Sequence, residues 1–306
     1  MTLTLTRTDG RVVVSDGDVE LFHYVIFPDS PQWESPKPYL DPIRTRAGRV
    51  VSLLRPWDHV WHKGIAWSLP VVDDENFWGG PTYVRGQGYV QLPNDGAQRH
   101  VDATTSSVEE GIATFAHDLE WTSESGRRMF AEHRILTARI LDETTWALTF
   151  ETVMTNVTDA TIAIGSPTTR GRENAGYGGL FWRGPRSFTE GRLVTAAGTG
   201  TGSDVRGQRH EWMGFEGRHD VVDATSLIVM VDAADNPHHP PQWFARSEEF
   251  AALNPAPFFS EEVHVAAGET VVFRYAVGIA DADAGEAPQI AGALRGLLGD
   301  STRRPV

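Results

Sequence analysis

The chain has 306 residues, which exceeds the usual size of a single domain, although large all-β domains reach this length. Its 27 basic and 41 acidic side chains give a formal net charge of −14, which argues against nucleic acid and anionic membranes as partners. The absence of cysteine excludes disulfides, thiolate metal sites and cysteine nucleophiles.

Alternation of apolar and polar residues predicts most of the secondary structure. In 113–121, Phe115, His117 and Trp121 share one face, as in a half-buried strand. In chain order, we predict strands at 19–27, 49–54, 113–121, 129–140, 145–153, 226–231 and 270–279. The sequence therefore predicts an all-β fold, a large antiparallel β-sandwich.

Two segments predict helices: a short one at 247–253, and one at 287–298 where Ile290 and Leu294 continue an apolar stripe after Pro288. No low-complexity linker and no internal repeat appears, so we expect a single β-sandwich domain over 1–306. The chain has no signal-peptide pattern and no apolar run of about 18 residues, which predicts a soluble, cytoplasmic protein without a membrane partner.

The run RPWDHVWHKG, residues 55–64, places two histidines three positions apart beside an aspartate. Pro56 and Gly64 favour a loop, in which His59 and His62 can share one cavity. Three readings are open: sugar contacts or acid/base catalysis, structural hydrogen bonding, or a metal site. A metal site needs a third ligand, for which Glu75 and His117 are candidates.

Two further segments carry recognition-type side chains. In 235–246, three prolines stiffen a stretch that contains His238, His239 and Trp243; the alternative is an exposed edge connection. In 176–183, three glycines precede Arg183, whose guanidinium could bind an oxygen-rich ligand; the alternative is a glycine turn with a surface arginine.

Charges and aromatic rings leave two more questions open. Glu132 and Arg134 share the apolar face of the strand at 129–140, which predicts either a structural ion pair or a ligand contact. Five tryptophans lie between Trp33 and Trp78, and they serve either as core or as a platform for sugar rings.

Several ordered motifs resemble the bacterial PmoA-like family. They are Pro38-Tyr39-Leu40 with Pro42, Pro-x-Asp-His-x-x-His-x-Gly at 56–64, Glu-x-Arg at 132–134, Gly-Gly-Leu-x-x-Arg at 178–183, and Asn-Pro-x-His-Pro-x-x-Trp-x-x-Arg at 236–246. The resemblance implies a β-sandwich related to the galactose mutarotase-like superfamily and a role in carbohydrate metabolism. A methane oxygenase is not expected, because no segment could span a membrane.

The resemblance also implies acid/base chemistry on a sugar, since mutarotases use a histidine acid and a glutamate base. Candidates for the acid are His59, His62, His238 and His239, and no glutamate of this chain matches the position of the base. The predicted substrate-binding residues are Tyr39, Asp58, Arg134, Arg183, Trp243 and Arg246.

We therefore expect an enzyme of the isomerase, lyase or hydrolase type that acts on a sugar, a sugar acid or an oxidised sugar without a metal or other cofactor. The alternatives are a non-catalytic sugar-binding or sensing protein and a metalloenzyme with histidine ligands. The expected partner is a small-molecule carbohydrate, and self-association into a homo-oligomer stays open.

Overall fold

The computed structural model describes residues 3–299, and these residues form an almost entirely β structure. Its strands, in chain order, are β1 (Leu3–Arg7), β2 (Arg11–Asp16), β3 (Val19–Val25), β4 (Tyr39–Ile43), β5 (Ile65–Ser68), β6 (Val71–Val72), β7 (Thr82–Val84), β8 (Gly88–Val90), β9 (Ala97–Glu109), β10 (Ile112–Thr122), β11 (Arg128–Ile140), β12 (Thr145–Asn156), β13 (Ile162–Gly165), β14 (Gly179–Arg183), β15 (Arg192–Thr195), β16 (Gly198–Gly200), β17 (Trp212–Arg218), β18 (Thr225–Asp232), β19 (Gln242–Arg246), β20 (Ala252–Ala256), β21 (Val263–Val265) and β22 (Thr270–Ala280).

Helical structure is sparse within these residues. It comprises α1 (Gly202–Val205), α2 (Ala287–Gly299) and three short 3-10 turns at Gln32–Glu34, Arg186–Phe188 and Ala284–Glu286. The predicted C-terminal helix is confirmed as α2. No helix between residues 3 and 299 is long and apolar enough to cross a membrane.

Two large antiparallel sheets dominate the described part of the chain. The first sheet has the order β1-β2-β3-β4-β5-β14-β20-β19, and the second has the order β16-β15-β17-β18-β22-β12-β11-β10-β9. A three-stranded sheet, β21-β13-β6, and the hairpin β7-β8 are smaller additions. The predicted all-β class with large antiparallel sheets is therefore confirmed.

The inner faces of the two large sheets meet in one apolar cluster. Trp67 of the first sheet lies 5.1 Å, between ring centroids, from Phe273 of the second, and Trp182 lies 5.3 Å from Phe215. Burial of one such side chain stabilises the fold by about 1.5 to 3 kcal/mol. The alternation of apolar and polar residues in 113–121 matches the inner and outer faces of β10. The side chains predicted to share one face are all buried: Phe115, His117, Leu119 and Trp121.

Helix α2 covers the outer face of the second sheet. Small residues of β22, among them Ala276 and Gly278, leave room for the helix, and Ile290 and Leu294 pack against them. The helix therefore buries its apolar stripe as the sequence predicted.

The prediction of a helix at 247–253 is wrong. The chain bends there and enters β20, where Ala252 pairs with Arg183 of β14 and with Arg246 of β19. The backbone oxygen of Ala251 also accepts a hydrogen bond from Gly184 N at 3.0 Å. Pairing with two neighbouring strands therefore overrides the local helical preference.

The prediction of a strand at 49–54 is also wrong, since this segment forms only isolated β-bridges, at Val50 and Leu54. The segment crosses between strands: Val51 N donates to Ile43 O at 2.9 Å, and Leu53 N donates to Arg183 O at 3.0 Å. The segment therefore connects two strands of the sheet and forms no continuous ladder of hydrogen bonds itself.

Candidate functional site

The two histidines of the RPWDHVWHKG run lie on a tightly turned segment, residues 54–63, which we call the histidine loop. His59 N donates to Pro56 O at 3.0 Å, and His62 N donates to His59 O at 2.9 Å. These consecutive turns bring the two imidazole rings face to face, 4.7 Å apart between centroids and 15° from parallel. The predicted loop thus brings the two side chains together.

Both ends of the histidine loop attach to the last residue of β14. Leu53 N donates to the backbone oxygen of Arg183 at 3.0 Å, and Arg183 N donates to Gly64 O at 2.8 Å. Gly64 has a φ of 58°, and a Cβ at this position would lie 2.2 Å from Leu40 O. Only glycine fits this turn and this close approach.

The side chain of Arg183 continues the same connection. It is fully buried, and its NH1 lies 3.1 Å from Nδ1 of His62, while its NH2 lies 3.4 Å from Oδ2 of Asp58. Its Cζ stacks on the ring of Phe250, 3.8 Å from the centroid. Because a guanidinium can only donate, Nδ1 of His62 accepts, and the imidazole proton resides on Nε2.

The local environment favours neutral imidazoles. Burial, followed by repulsion from His59 when that ring is protonated and from Arg183, lowers the pKa of His62 well below its ordinary value. Burial also lowers the pKa of His59, although the neighbouring Asp58 carboxylate opposes this shift. Both rings are therefore uncharged near neutral pH and can accept or donate a proton.

Asp58 lies between the histidines and two arginines. Its Oδ2 is 3.1 Å from Nδ1 of His59, without the alignment of a hydrogen bond, and its Oδ1 accepts from NH2 of Arg186 at 2.5 Å. Burial raises the pKa of the Asp58 carboxyl, but His59 and the guanidinium of Arg183 outweigh burial and lower it. The carboxylate is therefore ionised beside His59.

A second anchor holds the base of the histidine loop. The buried carboxylate of Glu34 accepts hydrogen bonds from Arg55 Nε at 3.0 Å and Arg55 NH2 at 2.6 Å, and it also contacts Nζ of Lys63. Arg55 and Lys63 stand at opposite ends of the loop, and Arg55 N donates to His62 O at 2.9 Å. One carboxylate therefore ties both ends together.

The histidine pair forms one wall of a cavity of about 510 Å³. This volume lies within the range of small-molecule sites. Its walls are mainly aromatic, with a few charged groups between the rings. The lining residues are Asp58, His59, Trp61, His62, Trp78, Gly79, Pro81, Tyr89, Arg172, Tyr177, Phe244, Arg246, Glu249 and Phe250.

The alternation of side chains along β19 determines which residues of this strand reach the cavity. Phe244 and Arg246 line the cavity, whereas Trp243 points to the opposite face and is fully buried. The indole Nε1 of Trp243 donates to His210 O at 2.8 Å. The predicted stacking of Trp243 on a sugar ring does not fit this position.

The other predicted histidines lie outside the lining of the cavity. His238 Nδ1 is 2.7 Å from Pro257 O, and His239 Nδ1 is 2.7 Å from Oδ2 of the buried Asp232. The hydrogen bond to Asp232 raises the pKa of His239. The structure thus gives both side chains local partners and does not bring them to His59 and His62.

Two predicted binding residues are buried in other places. Arg134 donates to both carboxylate oxygens of Glu132, at 2.7 and 2.9 Å, so the ion-pair alternative is the one that the structure contains. Tyr39 lies buried on β4 and is not among the residues that line the cavity. A ligand contact by either side chain therefore does not fit the geometry.

Metal binding by the histidine pair lacks a third ligand in the part of the chain that the structure describes. No group of three His, Asp or Glu side chains within residues 3–299 could hold an ion. His117 hydrogen bonds to Tyr24 and His100 in the core, and neither His117 nor Glu75 lines the cavity that contains His59 and His62.

Sequence reasoning missed most of the aromatic wall. Phe250 falls in the segment wrongly predicted as a helix, and Phe244 is the neighbour of the predicted Trp243. Tyr89 and Arg172 come from a hairpin and a loop with no recognisable motif. Trp61 and Trp78 belong to the tryptophan-rich stretch, which was the one available signal for them.

The fold and the site together define an all-β antiparallel protein with an aromatic cavity that contains a histidine pair and several arginines. The chain belongs to DUF6807, a family of unknown function, whose model matches residues 11–294. No curated protein matches the sequence.

Two solved structures are similar at low identity. One is a TPR-domain containing protein from Parabacteroides distasonis, with 11% identity, a TM-score of 0.39, and coverage of 89% of this chain and 47% of that one. The other is a "putative aldose 1-epimerase" from Klebsiella pneumoniae subsp. pneumoniae, with 10% identity, a TM-score of 0.39, and coverage of 96% and 82%. The chain therefore spans about half the length of the Parabacteroides distasonis protein.

Proposed function

We propose that this protein is a carbohydrate-active enzyme that uses His59 and His62 for acid/base catalysis. One observation carries the proposal: two stacked imidazoles form a wall of an aromatic cavity of about 510 Å³. General acids and bases placed in this way contribute about 10²- to 10⁴-fold each to a reaction rate.

The two histidines have different environments and therefore different roles. His59, beside the Asp58 carboxylate, is the general base, because that carboxylate stabilises the imidazolium formed when the ring takes up a proton. His62 has its Nδ1 occupied by Arg183 and offers Nε2–H as a donor to a substrate oxygen.

The aromatic walls support a sugar as the substrate. Trp61 and Trp78 line the cavity beside His62, with their ring centroids 6.2 and 5.7 Å from the imidazole. Flat rings of this kind contact the C–H faces of a pyranose, while polar groups between them fix its hydroxyls. The cavity combines both kinds of surface.

Isomerisation, elimination and hydrolysis are the reaction types that two such groups can perform. The relation to PmoA-like proteins and to galactose mutarotases stays a prediction from the sequence. The first alternative function is a non-catalytic sugar-binding or sensing protein. The second alternative is a metalloenzyme with histidine ligands.

Calorimetry against a panel of neutral sugars and sugar acids, followed by NMR of each mixture for products, tests the proposal. We expect product formation by the wild type and its loss in His59→Ala and His62→Ala, with the circular dichroism unchanged. The control is His264→Ala, since His264 is exposed and is not among the residues that line the cavity.

Three results contradict the proposal. Full turnover in both cavity variants removes the assigned roles. Binding without any product identifies a sugar-binding protein instead. Stoichiometric metal in the purified protein, together with loss of turnover on its removal, favours the metalloenzyme.

A further inference from the structure

The acidic side chains of the cavity are already engaged by arginines. Asp58 accepts hydrogen bonds from Arg186 at 2.5 Å and Arg183 at 3.4 Å. Glu249 accepts one from NH1 of Arg246 at 2.7 Å and is more than half exposed, so water screens its charge. Neither carboxylate is left to balance another cation.

Two more arginines form no ion pair with a carboxylate among residues 3–299: Arg172, which lines the cavity, and Arg206, which packs on the lining residue Phe244. Arg172 lines the cavity, with its Cζ 4.6 Å from the ring centroid of Tyr89, whose hydroxyl it also contacts. Arg206 lies over the ring of Phe244 at 5.7 Å, and Arg246 lies over the same ring at 5.5 Å.

These arginines form one cluster. The hydroxyl of Tyr89, which Arg172 contacts, is 2.9 Å from that of Tyr177, and the Tyr177 ring lies 5.4 Å from Phe244. Burial, and then the charge of Arg246, lowers the pKa of Arg206, while Glu249 and Glu248 oppose this shift.

The cluster is unusual for this chain, whose formal net charge is −14. A concentration of positive charge in a partly desolvated cavity of an acidic protein attracts anions specifically to that place. The Nε of Arg246 is buried without a hydrogen-bond partner. Because this Nε has no accessible surface, a ligand in the cavity is bound by the terminal nitrogens of Arg246.

We infer that the substrate of the proposed enzyme is a sugar acid, whose carboxylate binds between Arg172 and Arg246. This inference rests on the proposed function and narrows it to one substrate class. Arginine and carboxylate form strong, directional hydrogen bonds, and the aromatic walls keep the pair partly dry. A neutral sugar leaves the charges of the cluster unbalanced.

A carboxylate suits the two guanidinium groups. Each group already has a partner, Tyr89 for Arg172 and Glu249 for Arg246, and each keeps further N–H donors. A planar carboxylate accepts such donors in parallel pairs.

The position of the carboxylate also connects it to the catalytic base. The positive charge of Arg246 lowers the pKa of His59. A bound carboxylate neutralises this charge, so the pKa of His59 rises when a sugar acid binds. The substrate's own charge therefore makes the base stronger.

Calorimetry with matched pairs tests the inference: D-glucuronate against D-glucose, D-galacturonate against D-galactose, and D-glucose 6-phosphate as the competing anion. We expect each acid to bind at least tenfold more tightly than its neutral partner, and this preference to decrease as salt is added. Arg172→Met and Arg246→Met remove the preference of each acid over its neutral partner. The control, Arg128→Met, changes an exposed arginine of β11 and retains the preference.

Arg246→Lys keeps the charge but not the planar fork, and it retains a reduced preference; it also serves if the methionine variant does not fold. Equal binding of acids and neutral sugars, or an acid preference that survives both methionine variants, overturns the inference and leaves the proposed function intact. Tighter binding of the sugar phosphate also overturns it. Failure of every sugar to bind overturns the proposed function itself.

Discussion

The guanidinium of Arg183 donates a hydrogen bond to Nδ1 of His62 over 3.1 Å, and this contact determines which nitrogen of the imidazole carries the proton. The arginine is fully buried and does not line the cavity. It therefore acts on the chemistry through His62 and Asp58, as a positioning residue.

Substitution of Arg183 by Met removes the donor and allows His62 to adopt either tautomer. We expect kcat to fall by about 10²-fold, with little change in KM, because Arg183 touches no substrate. Steady-state kinetics and the nitrogen-15 shifts of the His62 ring measure the two effects. The matched control is Arg186→Met, which also loses a contact to Asp58 but none to His62.

The comparison of these two variants is decisive for the tautomer argument. An equal loss of kcat in both variants assigns the effect to Asp58 instead. An unchanged nitrogen-15 spectrum in Arg183→Met contradicts the assignment of the proton to Nε2.

The pH profile of turnover is expected to depend on His59. Its pKa is lowered by burial, so the active, neutral form persists below the ordinary value of about 6.5. Turnover therefore rises with pH through this lowered pKa and is constant at neutral pH. Asp58→Asn removes a charge that raises the pKa of His59, which shifts the acidic limb to still lower pH.

The pH dependence of kcat/KM, together with an NMR titration of His59, measures this shift. Asp232→Asn, which affects His239 outside the cavity, is the control and leaves the profile of turnover in place. Movement of the acidic limb to higher pH in Asp58→Asn rules out the assigned base.

The Glu34 carboxylate is expected to stabilise the histidine loop. Glu34→Gln leaves Lys63 and Arg55 without their charged partner, and removal of one partner from a buried ion pair typically lowers the free energy of unfolding by about 3 to 5 kcal/mol. Urea denaturation measures the loss. The control is Glu20→Gln, since Glu20 is half exposed and pairs with His23.

Activity of Glu34→Gln provides a second measurement under conditions where the protein stays folded. We expect kcat to fall because the loop relaxes, and hydrogen exchange at residues 54–63 to accelerate. A loss of stability no larger than that of Glu20→Gln shows that Glu34 is not an anchor.

The core histidine His117 is expected to contribute to acid unfolding. Its Nε2 lies 2.9 Å from the hydroxyl of Tyr24, and burial lowers its pKa to about 2. Below the unfolded pKa of about 6.5, the unfolded chain binds a proton that the folded chain does not. Stability from this group is therefore complete above about pH 6.5 and decreases as the pH falls towards 2.

His117→Gln removes this dependence. Over that range the wild type should lose about 1.4 kcal/mol per pH unit more than the variant. Urea denaturation at a series of pH values gives the two slopes, with His264→Gln as the control for loss of an exposed histidine. Parallel slopes for the wild type and His117→Gln would disprove the assignment.

The strand pattern was predictable where a long strand has one buried face, as β10 and β11 do. The second sheet buries Trp146, Leu148 and Phe150 on one face of β12, so the alternation is visible in the sequence. The segments 49–54 and 247–253 were mispredicted because long-range pairing with β14 determines their conformation. No local pattern carries that information.

The site was partly predictable for a similar reason. His59, His62 and Asp58 lie on one short loop, and Pro56 and Gly64 indicate that loop in the sequence. Arg183 and Arg246 were found through motifs, although the long-range contacts of Arg183 were not. Prediction of the residues in the cavity wall would have required the register of the strands. A shift of one residue on β19 brings Trp243 to the cavity in place of Phe244.

The histidine loop leaves and rejoins the first sheet at a single residue, since Leu53 and Gly64 both hydrogen bond to the backbone of Arg183. The register of the sheet is therefore independent of the length of the segment between these two points. In terms of protein engineering, the segment between Arg55 and Lys63 is the part that can be exchanged, because these two residues keep the buried Glu34 carboxylate paired. Loops of other lengths and chemistries can be grafted there while both anchors are retained.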